Sequence, residues 1–182
     1  MSGFRALSPN INVNTESGQL RTELQNTFAR LDGSLQLAPY RLATVIGPIG
    51  NTGGTETDLL STNVTIGTLA KQNSSILIFA AGNTAANGNN KTLRLKFGGT
   101  TLATFGPTTM NGGSWTIQAE LVRNGAATEV AWAQYMDSDG ILDVASSTAT
   151  ENLASNQTLK ITGQGTSSSD VSALYWKTYL MT

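Results

Sequence analysis

Residues 115–136 read WTIQAELVRNGAATEVAWAQYM, and this stretch is the clearest indication of the fold in the chain. Its first part, 115–123, alternates apolar and polar residues with the period of two that is typical of a β-strand with one buried face. Asn124 and Gly125 follow, and this dipeptide is the strongest short-range signal of a β-hairpin with a type I′ turn. Residues 128–136 are then predicted to be the return strand of an antiparallel pair.

The same signature recurs on both sides of this hairpin. Residues 91–97 alternate cleanly, and the continuous apolar run within 75–81 is typical of a strand that is buried on both faces. The last such segment, 171–180, is also apolar on both faces. Further segments with strand character are 42–46, 58–66, 100–105, 141–144 and 158–162. Turn signals separate the segments, so residues 41–182 are predicted to form a mainly β, jelly-roll-like β-sandwich of about eight strands.

The first 40 residues have a different character. Residues 1–14 contain Pro9 and have no helical spacing of apolar residues, which predicts an extended arm. From residue 16 to 35, apolar residues recur at steps of three and four, which predicts one amphipathic α-helix with a narrow apolar stripe. The stripe consists of Leu20, Leu24, Phe28, Leu31 and Leu35.

The predicted helix needs a partner, because an isolated helix of this length is only marginally stable in water. Its spacing leaves open whether the stripe packs on the β-domain of the same chain or on further copies of itself. We interpret residues 1–40 as a separate segment for attachment and self-association. Its contacting residues would be those of the stripe together with Phe4, Leu7, Ile11 and Val13 of the arm.

The composition argues against several classes of function. The chain of 182 residues contains no His and no Cys, so imidazole and thiol chemistry is missing for catalysis and metal binding. Its 11 basic and 12 acidic residues form no basic cluster, which nucleic-acid binding would require. No apolar run reaches the ~20 residues of a transmembrane helix. We therefore expect no cofactor, no nucleic-acid partner and no membrane insertion.

Carboxylates are the remaining candidates for catalysis or metal binding. Glu120 and Glu129 flank the predicted hairpin turn and are predicted to lie roughly opposite one another, as the carboxylate pair of a glycosidase does. A position on the solvated side of the strands explains both more simply. Asp137, Asp139 and Asp143 resemble part of a calcium loop, but the full twelve-residue pattern is absent and a turn accounts for them. We predict no catalytic and no metal-binding residues, and thus no enzyme.

Two stretches resemble β-domains in structural proteins of tailed bacteriophages. They are NGNNKTLRLKFGGTTL at 87–102 and GSWTIQAELVRNGA at 113–126, and the similarity extends roughly from residue 53 to the C-terminus. The resemblance implies a jelly-roll domain on the virion surface, typically a trimer, in a head decoration protein, a head fibre or a tail fibre. An N-terminal arm and helix that fix the β-domain to the particle are the common layout of such proteins.

The expectation is therefore a homotrimeric head decoration (cement) protein or short head fibre, anchored to the major capsid protein through residues 1–40. The alternative is a tail fibre or receptor-binding protein that is attached to a tail or baseplate protein and recognises a host surface glycan. In both cases the segments 82–90, 108–114 and 146–157 are expected to face outward. Because no basic region with a following apolar stretch opens the chain, we expect synthesis in the host cytoplasm and a final place on the virion surface.

Overall fold

The computed structural model describes residues 40–181, which form ten β-strands in two antiparallel sheets. The strands are β1 (Tyr40–Gly50), β2 (Thr57–Val64), β3 (Ser75–Thr84), β4 (Lys91–Phe97), β5 (Thr100–Thr108), β6 (Ser114–Arg123), β7 (Glu129–Asp137), β8 (Leu142–Ala149), β9 (Gln157–Gln164) and β10 (Val171–Met181). Between residues 40 and 181 there is no helix, and accordingly none that is long and apolar enough to cross a membrane.

The strands pair in a nested order. β1 pairs with β10, β2 with β9, β3 with β6 and β4 with β5. The six-stranded sheet has the order β1-β10-β3-β6-β7-β8, and the four-stranded sheet has the order β2-β9-β4-β5. Eight strands thus have the nested pairing of a jelly roll, and β7 and β8 extend one sheet beyond β6. The predicted mainly β sandwich is confirmed, with ten strands instead of about eight.

The core lies between the two sheets. Side chains from alternate positions of each strand fill it, as the period of two predicts. Across the core, the ring of Phe105 on β5 stacks on that of Tyr135 on β7, with 5.3 Å between the ring centroids. The largest fully buried apolar side chains are Trp115, Trp176, Phe97, Phe105, Leu59, Leu60, Ile76, Ile78, Leu95, Ile117 and Leu121.

The hairpin between β6 and β7 closes differently from the prediction. Arg123 and Glu129 are its last paired residues, so the connection comprises 124–128 instead of a two-residue turn. Neither Asn124 nor Gly125 has the positive φ that a type I′ turn requires, so that prediction was wrong. The physical reason is local: the guanidinium of Arg123 donates to the carbonyl of Gly125 at 2.7 Å and holds a wider loop in place.

The connections are divided between the two ends of the sandwich. The start of β1 lies beside the end of β10, because Tyr40 is paired with Leu180. We call this the proximal end; it also holds the β2–β3, β4–β5, β6–β7 and β8–β9 connections. The opposite, distal end holds the other five connections. They are residues 51–56, 85–90, 109–113, 138–141 and 165–170.

Candidate functional site

The predicted attachment residues cannot be placed, because they all lie outside the described residues. They are Phe4, Leu7, Ile11, Val13, Leu20, Leu24, Phe28, Leu31 and Leu35. The extended arm, the helix over 16–35 and the boundary near residue 41 therefore stay predictions. The candidate sites below belong to the β-domain.

Two of the three segments that were expected to face outward, 82–90 and 108–114, meet at the distal end. The N–H of Thr84 donates to the carbonyl of Gly113 at 2.8 Å, and the N–H of Gly112 donates to the carbonyl of Ala85 at 3.1 Å. The third segment does not join them. Residues 146–157 comprise the end of β8 and a proximal connection, so the three segments form no single surface.

A buried carboxylate, Asp170, organises the distal loops. It accepts the backbone N–H groups of Thr166 and Ser167 at 2.8 and 2.7 Å. The side-chain amides of Asn87 and Asn89 also donate to it, at 2.7 and 3.0 Å. Burial opposes its ionisation, but these donors outweigh the burial and hold the pKa of the Asp170 carboxyl below its usual range. The group therefore stays charged and holds two loops together.

A buried cation, Lys91, is connected to this carboxylate through Asn87. Its Nζ donates to the backbone carbonyl and the side-chain oxygen of Asn87, both at 2.9 Å, and to the carbonyl of Asn89 at 3.0 Å. All three ammonium donors are thus satisfied. Asn87 links Lys91 to Asp170, which gives the distal end a fixed shape. The sequence analysis missed this role, although the alternation of β4 places Lys91 on the inward side with Leu93.

Two clefts open at this end. The first has a volume of about 480 Å³ and is lined by small residues that offer amide, hydroxyl and backbone groups. They are Asn83, Thr84, Ala86, Gly112, Gly113, Ser114 and Ser138. The second, of about 300 Å³, is lined by Gly106, Pro107, Thr108, Tyr135, Asp137, Ile141 and Asp143. Such linings can donate and accept hydrogen bonds with a polar ligand.

The three aspartates that resemble part of a calcium loop have separate places in this region. Asp137 holds its own turn, because its Oδ1 accepts the N–H groups of Asp139 and Ile141, both at 3.0 Å. The hydroxyl of Tyr135 donates to its Oδ2 at 3.2 Å. Burial and next the charge of Asp137 raise the pKa of Tyr135 well above its usual range, so this phenol stays protonated. Among residues 40–181 no group of three acidic side chains could hold a metal ion.

The two glutamates that the sequence placed opposite one another are apart. Glu120 is paired with Trp132, whereas Glu129 is paired with Arg123. Glu129 points into the sandwich and is fully buried, while Glu120 lies on the outer side of the six-stranded sheet. The predicted juxtaposition was therefore wrong, and so was the solvated position of Glu129. The pair cannot flank one glycosidic bond from opposite faces of a sheet.

Glu129 has an incomplete set of hydrogen-bond partners. Its Oε2 accepts the N–H of Glu151 at 3.2 Å, and its Oε1 has no partner among the described residues. Burial, with a smaller contribution from the charge of Glu151, raises the pKa of Glu129. The inward alternation of Ala131 and Ala133 along β7 could have indicated this position. The charged form of Glu129 is therefore disfavoured in the fold.

Comparisons with known proteins assign no family. No protein-family model and no curated protein matches the chain. A seed lectin isoform of Lotus tetragonolobus is similar in structure, with a TM-score of 0.41 and 7% identity over 79% of this chain and 98% of the lectin. Peanut lectin with a nine-residue peptide gives a TM-score of 0.33 and 11% identity over 77% and 99%. The VP2 subviral particle of infectious bursal disease virus gives 0.29 and 12% over 80% and 42%. Likeness at this level assigns neither a family nor a function.

Proposed function

We propose that the protein is a structural component of a bacteriophage virion. It would be a homotrimeric head decoration protein or short head fibre that residues 1–40 fix to the major capsid protein. The resemblance of 87–102 and 113–126 to phage β-domains motivates the proposal. The observation that carries it furthest is the polarity of the β-domain: Tyr40 lies at the proximal end and five connections lie at the distal end.

This difference between the two ends suits a protein that is attached at one end and displays its loops at the other. β10 has 11 residues, and at ~3.3 Å per residue such a strand spans on the order of 35 Å. A chain that is fixed through the residues before Tyr40 would hold its distal loops at about that distance from the particle. The buried Lys91–Asn87–Asp170 network keeps those loops in one shape. Its charged groups form their hydrogen bonds within the protein, which supports a structural role over a catalytic one.

The anchoring test uses the full-length protein and particles that were assembled without it. Substituting Leu24→Asp and Phe28→Asp places charge in the predicted apolar stripe and should abolish co-sedimentation with the particles. The matched control is Gln25→Asp with Arg30→Asp, on the other faces of the predicted helix, which should bind as wild type does. Equal binding of both variants, with unchanged circular dichroism, would contradict the anchor.

Head or tail location is tested separately by antibody labelling of intact particles in the electron microscope. We expect label over the head surface. Label at the tail alone would replace the decoration role with the tail-fibre alternative. Absence of label from every particle, combined with a positive control on the denatured protein, would remove the virion role altogether.

A second candidate function is recognition of a host surface glycan at the distal end. The specific observation in its favour is the first cleft, with hydroxyl and amide groups from Asn83, Ser114 and Ser138. Binding to a glycan array should then be lost in Asn83→Ala and Ser138→Ala. Thr101→Ala, on an exposed position of β5, is the matched control. Array binding that survives both cleft substitutions would place recognition elsewhere.

A further inference from the structure

The outer side of the six-stranded sheet carries large apolar residues at positions that face away from the core. Within β7 and β8 they form a group that we call the apolar face. It consists of Val130, Trp132, Met136, Leu142 and Val144, with exposed fractions of 39%, 44%, 49%, 60% and 53%. Single exposed apolar residues are ordinary on protein surfaces, but a contiguous group indicates an interaction site.

The strand register makes this group contiguous. Met136 of β7 is directly paired with Leu142 of β8, and Gln134 is paired with Val144. Trp132 lies two residues from Gln134 on the same side of β7, which places it diagonally next to Val144. Directly paired side chains lie ~5 Å apart and diagonal ones ~7–8 Å apart, which is within reach of a large ring, so the register brings these residues into one group.

Beyond β6, whose outward positions are Thr116, Gln118, Glu120 and Val122, apolar side chains appear again on β3 and β10. On β3, Leu77 and Phe79 face outward and are only half-buried. On β10, Tyr175 and Tyr179 occupy the same side, and the ring of Tyr179 meets that of Phe79 edge-on at 6.4 Å between centroids. Both strands read from the sequence as buried on both faces, but the core covers only one side of them. The residue types of the other side are those of a covered surface.

The outer side of the four-stranded sheet shows what a solvated face of this protein looks like. Glu56 binds Arg94 at 3.2 Å and Lys96 at 3.0 Å, and Lys160 binds Asp58 at 2.9 Å. Charged and hydroxyl side chains occupy the outward positions there. One outer side of the sandwich is thus charged and the other is apolar. A generally apolar surface therefore does not explain the apolar face.

Charges of both signs lie on the apolar side of the molecule, where Arg41 of β1 is paired with the outward-facing Tyr179. Glu120 of β6 and Lys177 of β10 both face outward, and neither forms an ion pair among the described residues. The strand β3 separates them, so two strand spacings, on the order of 10 Å, lie between them. Lys177 Nζ instead lies 6.0 Å from the ring centroid of Tyr175. A surface with one positive and one negative half is complementary to a rotated copy of itself.

We propose that the apolar face binds a second copy of this chain, with Lys177 of one copy beside Glu120 of the next. The apolar residues of β7 and β8 would pack against the aromatic side of β10 in the neighbour, and the charge pair would set the register. This contact deepens the self-association in the proposed function, on which it rests, and adds an interface outside residues 1–40.

The first experiment measures the mass of the full-length protein by sedimentation over a range of concentrations. Wild type should be an oligomer, and Val144→Asp should raise the dissociation constant at least tenfold. Thr104→Asp, at an exposed outward position of β5, is the matched control and should leave that constant unchanged. Circular dichroism and the melting curve show whether each variant is folded. A wild type that stays monomeric at high concentration would overturn the proposal, and the face would then belong to a different partner.

The second experiment tests the register itself. Lys177→Glu and Glu120→Lys should each weaken association, and the double exchange should restore it, as coupled charges do in a double-mutant cycle. Because the chain has no Cys, Lys177→Cys with Glu120→Cys should form an intermolecular disulfide under mild oxidation. An oligomer that forms no such disulfide and shows no rescue in the double exchange would contradict this contact. Capsid binding is not measured in either experiment, so their failure is distinguishable from failure of the virion role.

Discussion

Four charged side chains are buried in the β-domain, and three of them, Lys91, Asp170 and Glu129, meet contrasting environments. Lys91 donates to three oxygens, and Asp170 accepts from four donors around two loops. Glu129 has one oxygen without a partner. A buried charge stabilises a fold only where hydrogen bonds replace the water it lost. We therefore expect opposite effects from neutralising Asp170 and from neutralising Glu129.

Asp170→Asn should destabilise the protein by roughly 1.5–3 kcal/mol, the range for a hydrogen bond to a charged group. The pKa of Asp170 is lowered by folding, so its contribution is present above the unfolded value of 3.8 and is lost as the pH falls through the folded value. Urea unfolding at pH 7 and in acid measures both effects. Asp139→Asn, at an exposed position, should change stability little. A difference that grows on acidification would contradict the assignment.

Glu129→Gln should stabilise the protein at pH 7, because it removes a buried charge and keeps an acceptor for the N–H of Glu151. Folding raises the pKa of Glu129 above 4.5. Wild type is therefore free of the penalty below that pH and incurs it as the pH rises through the folded value. Melting temperatures from pH 4 to pH 8 should show a gain for the variant that vanishes in acid. The exposed Asp143→Asn is the control, and a variant less stable at every pH would refute this account.

At the scale of the strands, periodicity predicted where elements lie and tertiary contacts decided their ends. β4 has the predicted bounds, because its inward Leu93, Leu95 and Phe97 alternate with polar residues. β8 is longer than predicted, since hydrogen bonds to β7 support its Ser- and Thr-rich half, where apolar alternation is absent. The loop after β6 depends on the contacts of one arginine side chain, which no turn pattern contains.

The candidate sites were harder to predict than the strands. The alternation of inward and outward residues along β4 and β7 indicates that Lys91 and Glu129 point inward, but it does not identify their partners. Loops that are far apart in the sequence meet only because the strands are nested, as the 2.7 Å contact between Asn87 and Asp170 shows. The apolar sides of β3 and β10 were visible in the sequence. The sequence did not indicate which of the two sides is covered by the core.

Gly82 of β3 provides a prediction for the packing between strands. A Cβ at this position would overlap the carbonyl of Ser172 on β10 and the ring of Trp115 on β6. Gly82→Val should therefore lower the unfolding free energy by about 1–3 kcal/mol or more, the usual cost of overpacking. Gly88→Val is the matched control, because a Cβ there meets no atom within 4 Å. Equal stability of the two variants in a denaturant titration would show that β3 shifts to accommodate the side chain.

At the scale of the whole β-domain, the two sheets present surfaces of different character to the outside. One outer side is held by ion pairs around Glu56, and the other exposes Trp132 among aliphatic side chains. The two ends also differ, since Tyr40 and the end of β10 lie at one of them and five connections lie at the other. Such a molecule has distinct directions for association and for display.

Tryptophan fluorescence should report whether the apolar face is covered, because Trp132 lies on it. The chain has 3 Trp, of which Trp115 and Trp176 are buried and Trp132 lies half-exposed on the apolar face. In dilute solution acrylamide should quench the emission of Trp132 and leave that of the two buried tryptophans unaffected. At high protein concentration, association should shield Trp132 as well. Trp132→Phe should remove the quenchable fraction. Quenching that is independent of protein concentration would mean that the apolar face stays uncovered.

The pairing of β1 with β10 also has a mechanical consequence. A pull between the residue that precedes Tyr40 and a receptor at the distal loops would run along β1, parallel to the strand axis. The hydrogen bonds of an antiparallel ladder are perpendicular to the strands. Such a load shears the ladder, and the bonds from Tyr40 to Gly50 resist it together instead of opening one after another. If the chain is attached as proposed, the load therefore acts in the direction in which the sheet withstands tension best.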